Sequence, residues 1–200
     1  MRNILALLLF ILLGVQPAFA NILPSMGVDA YNQAPKIRTY TATLFPTVAP
    51  YVLAQDICAI GGLSTKVVKV HHVRVYLTQT TAGVNGLFLV KRSSASVGAQ
   101  KAISAVPHDS QTIAAGADVT NFTAAPSTTG TLVGIVRGAD VFTPAPASTT
   151  TGGYFDFDFG PSTGTLPMIL RANEFLALNF GGLTIPTGLV LSCEFNWTEE

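Results

Sequence analysis

Charge is scarce in this chain: 11 basic and 11 acidic side chains among 200 residues, with a formal net charge of zero. Without a basic excess there is no footprint for phosphate-dominated binding, so no nucleic-acid partner is expected. Lys66, Lys69, Arg74 and Lys91-Arg92 are interleaved with apolar residues and read as the solvent face of two strands. Helical spacing is missing too, because every apolar stretch is cut by Gly, Pro or a run of Thr. Catalytic constellations are equally thin. His108-Asp109-Ser110 holds the three residue types of a hydrolytic triad, but adjacent residues point apart, and a triad needs them to converge from separate segments. No catalytic, cofactor or metal site is therefore expected.

The chain is long enough for one ordinary domain that buries roughly 70% of its unfolded surface. Met1-Arg2-Asn3, the apolar run Ile4 to Val15 and Ala18-Phe19-Ala20 have the pattern of a cleavable secretory signal over residues 1–20. Twelve apolar residues fall short of the ~20 that span a bilayer, so no stable membrane span is expected after cleavage. Losing Arg2 leaves ten basic against eleven acidic residues. Residues 21–36, with Pro24, Gly27 and Pro35, read as a linker or arm, and residues 37–200 as the folded domain.

What is abundant is strand pattern. Thr65 to Thr78 is rich in β-branched and aromatic residues with no Gly or Pro inside. Its apolar parity changes midway: Val68 and Val70 fall on one face, and Val73, Val75 and Leu77 on the other. A β-bulge at His71-His72 restores a single inward face. Further strands are expected at Ile37–Phe45 (an edge strand), Leu53–Ile60, Gly86–Arg92 (buried on both faces, or central in a sandwich), Leu132–Arg137, Tyr154–Phe159, Pro167–Arg171, Glu174–Phe180 and Leu189–Trp197. Phe155, Phe157 and Phe159 share one face of their strand, and Asp156 and Asp158 the other. Ser93 to Gly130 and Thr143 to Gly153, rich in Ala, Ser and Thr, read as long loops with Ile113, Val119 and Phe122 directed to the core. Nine or ten short strands predict an all-β, antiparallel two-sheet sandwich of jelly-roll type.

Few side chains remain as site candidates. His71 and His72 alternate faces and read as structural or solvated. Asp156 and Asp158 share a face that could hold a hard cation, but with no third acidic residue near they read as a solvated outer face. Asn121-Phe122-Thr123 and Asn196-Trp197-Thr198 match the glycosylation sequon, which matters only in a eukaryotic secretory pathway. Cys58 and Cys193 are an even count in an exported chain, which fits a disulfide, whereas Cys193 on an inward face equally fits a buried thiol.

Several segments together carry a family resemblance. Lys69 to Val75, Leu89 to Ser93, Val106 to Ser110, Pro167 to Arg171, Leu176 to Gly182 and the ending Glu194 to Glu200 resemble small all-β structural proteins of tailed bacteriophages and prophages, over roughly Val52 to Glu200. The resemblance implies a non-enzymatic jelly-roll virion protein that decorates the capsid or sits at a head or tail vertex. It also implies a homo-oligomer, often a trimer, with other virion proteins as partners, and it carries over no site residue. The alternative is an exported carbohydrate- or surface-binding module. Its loops offer only Phe122 and Phe142 as aromatics. Virion-associated and periplasmic or secreted locations are thus competing expectations. Residues 1–20 would fit a host-adopted exported relative, a protein placed at the envelope during infection, or an apolar arm that imitates a signal.

Overall fold

The computed structural model describes residues 37–44, 47–48, 55–109, 114–143, 153–160, 164–183 and 188–200. The signal and linker expected over residues 1–36, Ser110, Ile113 and most of the Thr143–Gly153 loop lie outside these residues. Thirteen strands are described: β1 (Arg38–Thr43), β2 (Thr47–Val48), β3 (Cys58–Gly61), β4 (Val68–Thr78), β5 (Gly83–Arg92), β6 (Gln100–Ala102), β7 (Val106–Pro107), β8 (Asp118–Phe122), β9 (Leu132–Thr143), β10 (Gly153–Asp158), β11 (Met168–Leu170), β12 (Phe175–Asn179) and β13 (Val190–Glu199).

They form two sheets in which every described pair is antiparallel. One runs β10-β4-β13-β1-β7, with β11 also against β4 and β2 against β13; the other runs β6-β8-β3-β12-β5-β9. Four of the pairs are nested in chain order, β1 with β13, β3 with β12, β4 with β10 and β5 with β9, and β4 also runs along β13.

The core lies between the sheets because alternation turns one side of each strand inward. Leu191, Cys193, Phe195 and Trp197 of β13 are buried, as are Leu176 and Leu178 of β12. Tyr40 stacks on Trp197 at 5.6 Å between centroids. Each such side chain contributes ~1.5–3 kcal/mol on burial. In β4 the register against β13 slips by one residue. His72 faces Asn196 and Val70 faces Trp197, which leaves His71 as the extra residue. This bulge lets Val68, Val70, Val73, Val75 and Leu77 all point into the core.

Three sequence expectations are corrected. Ile37–Phe45 is not an edge, since β1 lies between β13 and β7. Ser93–Gly130 is not one long loop, because β6, β7 and β8 lie within it. Their short runs sit among Ala, Ser and Thr and take their strand form from neighbouring sheets rather than from their own composition. The strand begun at Leu132 continues past Arg137 to Thr143, with Gly138 tolerated inside it because the Phe88 ring packs there, 2.9 Å from where a Cβ would sit.

Candidate functional site

Cys58 of β3 and Cys193 of β13 come together across the core. They form a disulfide, with Cα atoms 6.8 Å apart, that joins one sheet to the other. Of the triad residue types, Ser110 lies outside the described residues. His108 Nε2 lies 2.6 Å from Thr41 Oγ1. Asn121 and Trp197 of the two sequons are buried. His71 Nε2 lies 3.0 Å from Thr198 Oγ1. Burial, then the neighbouring His72 and Lys69, lower the His71 pKa despite the opposing pull of Glu200. Among the described residues no three metal-ligating side chains converge.

Asp156 and Asp158 are not merely solvated: His72 Nδ1 stands 3.3 Å from Asp156 and 3.7 Å from Asp158. Arg74 bridges Asp156 at 3.3 Å and Glu194 at 2.8 Å.

The outer face of the six-stranded sheet holds two features that composition did not reveal. The first is a clamp. Arg92 and Asp56, 5% and 0% exposed, form a two-pronged ion pair through Nε to Oδ2 at 2.6 Å and Nη2 to Oδ1 at 2.7 Å. Ser96 donates its hydroxyl to Asp56, and Arg92 Nη1 donates to the Gly130 carbonyl at 2.6 Å. The amide of Gly130 returns a bond to Ser96 Oγ at 3.0 Å. These bonds fasten the segments after β5 and before β9 onto the sheet. Beside them a cavity of about 200 Å³ is floored by Ala59 and Ala177 and walled by Phe122 and Phe175.

The second feature is an apolar stripe along β9, the last strand of its sheet. Leu132, Val133, Ile135 and Phe142 of β9, with Val84 opposite Phe142 on β5, are between 56% and 63% exposed. Leu183 extends the patch beside Gly86. Edge strands are ordinarily guarded by Lys, Pro or shortness. β9 has twelve residues with no Lys and no Pro, and its one exposed charge, Asp140, stands between Ile135 and Phe142 and divides the stripe into two apolar ends. Its one arginine, Arg137, turns away to donate to the Asp158 carbonyl at 2.9 Å and cover the Phe159 ring. Register irregularities fall opposite Leu89/Val90 and Lys91/Arg92, in the half that carries Leu132, Val133 and Ile135, whereas Arg137–Thr143 pairs one-to-one with β5.

Glu199 was also silent in the sequence. It occupies an inward position at the end of β13, where its carboxylate accepts from the Gly116 and Ala117 amides at 2.9 Å each, from Trp197 Nε1 at 3.2 Å and from Lys66 Nζ at 2.9 Å. Burial works to raise its pKa, but the Ala117 amide, Lys66 and Trp197 outweigh it and hold the carboxyl below its usual range. The unfolded chain therefore binds this proton more readily. The contribution is complete above the ordinary glutamate pKa and disappears as pH falls through the lowered one. Glu199→Gln should unfold more easily at neutral pH, by about 1.5–3 kcal/mol, and lose less stability on acidification. Urea midpoints across an acid series check both.

No family model, curated protein or solved structure matches this chain.

Proposed function

We propose that this chain is a non-enzymatic structural protein acting as a closed homo-oligomer, a trimer by its resemblance, on the particle of a tailed phage or prophage. Capsid decoration and a head or tail vertex are its proposed places. The observation that carries the reading is the apolar stripe on β9. Monomers leave contiguous apolar patches of only a few hundred Å² open. A long edge strand guarded by a single exposed charge, Asp140, is a template for pairing, and closed symmetry covers both surfaces on every copy. The nested strand pairing supports the jelly-roll type, an architecture of viral capsid and lectin domains alike, so the functional reading rests on the surface rather than the fold. A disulfide is chemistry of an oxidising compartment, so among the three readings of residues 1–20 it favours a protein placed at the envelope during infection, or a host-adopted exported relative, over an arm that imitates a signal.

Light scattering on the purified chain tests the reading. A mass that is a multiple of the 21.0 kDa chain, or of its signal-cleaved form, is expected, with trimer the form proposed. Ile135→Lys with Phe142→Lys should dissociate it and lower the unfolding midpoint no further than dilution of the wild type to monomer does, because both side chains face outward. A wild-type monomer at high micromolar concentration contradicts the proposal.

A further inference from the structure

The outer face of the seven-stranded sheet carries a different surface, separate from the apolar stripe and independent of the self-association reading. Tyr76 and Tyr154 stand directly opposite each other on β4 and β10. Their rings are 5.1 Å apart at centroid and tilted by 43°, and they are 43% and 51% exposed. The next rung along the same face holds Asp156, Arg74 and Glu194, side by side across three strands. The rung after that holds Asp158 and His72. Same-face rungs lie two residues apart, so the row from the tyrosines to His72 covers about 14 Å at ~3.4 Å per residue.

We propose that this face binds a neutral oligosaccharide, with the tyrosine pair as the stacking platform and the Arg74, Asp156 and Glu194 rung as its hydrogen-bonding register.

Charge decides among occupants. One guanidinium, Arg74, stands among three carboxylates, Asp156, Asp158 and Glu194, so the face is net negative. It repels a second copy of itself, nucleic acid, anionic sugars and anionic lipid alike. A basic peptide would find acceptors there, but Arg74 sits in the middle of the rung and opposes it. A sugar hydroxyl donates and accepts at once, and this rung offers a donor between two acceptors. The ion pairs hold each other in place, Arg74 to Glu194 at 2.8 Å and to Asp156 at 3.3 Å, while 17–35% of each side chain stays open to solvent. The groups are therefore positioned before a ligand arrives, which reduces the ordering cost of binding. Tyr154 donates to Asp156 at 3.4 Å. Burial and the Asp156 charge push its phenol up, which keeps it a donor at neutral pH. The half-open aromatic rings supply apolar area against which a sugar ring can lie.

The test uses the purified full mature chain and three neutral probes: maltotetraose, cellotetraose and tetra-N-acetylchitotetraose. Each is titrated to about 10 mM, enough to detect the ~1 mM dissociation constants of weak binding. Ring proton signals of Tyr76 and Tyr154 are followed by NMR, with tetralysine as the competing class. At least one sugar should shift both rings. Tyr76→Thr with Tyr154→Thr, a pair that suits a strand, should weaken binding about tenfold or more through loss of both stacking contacts. Glu194→Gln should weaken it about three- to tenfold, and Tyr154→Phe should change it less than the double replacement. The proposal is overturned if none of the three sugars moves the tyrosine signals. Binding that survives the double replacement, or tetralysine acting at lower concentration than every sugar, overturns it as well.

Discussion

Replacing Asp56 with Ala should cost the fold about 3–5 kcal/mol, the usual loss when one partner of a buried ion pair is removed. Arg92 is nearly sealed from water and donates through three nitrogens, two of them to Asp56. Without the carboxylate, its guanidinium keeps only the Gly130 carbonyl among these bonds, and Ser96 loses its acceptor. The charge then has no compensation, and the sheet must open to hydrate it. Asp56→Leu combined with Arg92→Met should recover most of the loss, because two apolar groups need no partners. The segments on either side of the pair should nonetheless loosen, since the bonds from Ser96 to Asp56 and from Arg92 to the Gly130 carbonyl are gone and only the Gly130 amide still holds Ser96. Urea midpoints measure the first effect, and hydrogen exchange at Ser93–Gly98 the second. An Asp56→Ala variant within 1 kcal/mol of wild type would show that the pair is not closed off as described.

The second large effect belongs to the bridge between the sheets. Cys58 and Cys193 are 135 residues apart in sequence. Closing so long a loop constrains the unfolded chain by up to ~5 kcal/mol in the entropy account, with 2–5 kcal/mol the usual cost of losing a native disulfide. Cys58→Ala with Cys193→Ala should fall in that range. Both cysteines are buried in the core, so reductant should reach the bond only when the domain opens. Wild-type protein should keep it under mild native reduction and lose it in denaturant. Thiol counting before and after denaturation measures this. Two free thiols in the folded protein from an oxidising compartment would contradict it.

The all-β character and the two antiparallel sheets were legible because strand periodicity is written in the side chains themselves. The bulge is the clearest instance. Five apolar positions with a parity break at His71-His72 admit one inward face only if a residue is extra. The Phe155, Phe157 and Phe159 alternation with Asp156 and Asp158 was readable for the same reason. What could not be read depends on partners distant in sequence. β8 looks like loop until β3 and β6 flank it, and nothing local announces that Arg92 will meet Asp56. The tyrosine pair lay within reach. Tyr76 has the outward parity beside Val75 and Leu77, and Tyr154 shares the parity of Asp156 and Asp158. The loop pattern held no such signal, since Phe122 is buried in β8 and the exposed rings of Tyr76, Tyr154 and Phe142 lie on strands.

The proposed assembly requires that β9 be covered by another copy. The most direct measurement is hydrogen exchange at Gly138–Thr143 across a dilution series, read beside the molecular mass at each concentration. The amides that β5 does not hold should exchange slowly in the oligomer, and quickly once dilution or Ile135→Lys with Phe142→Lys separates the copies. Fast exchange at these amides at every concentration, with a monomer mass throughout, would contradict the account.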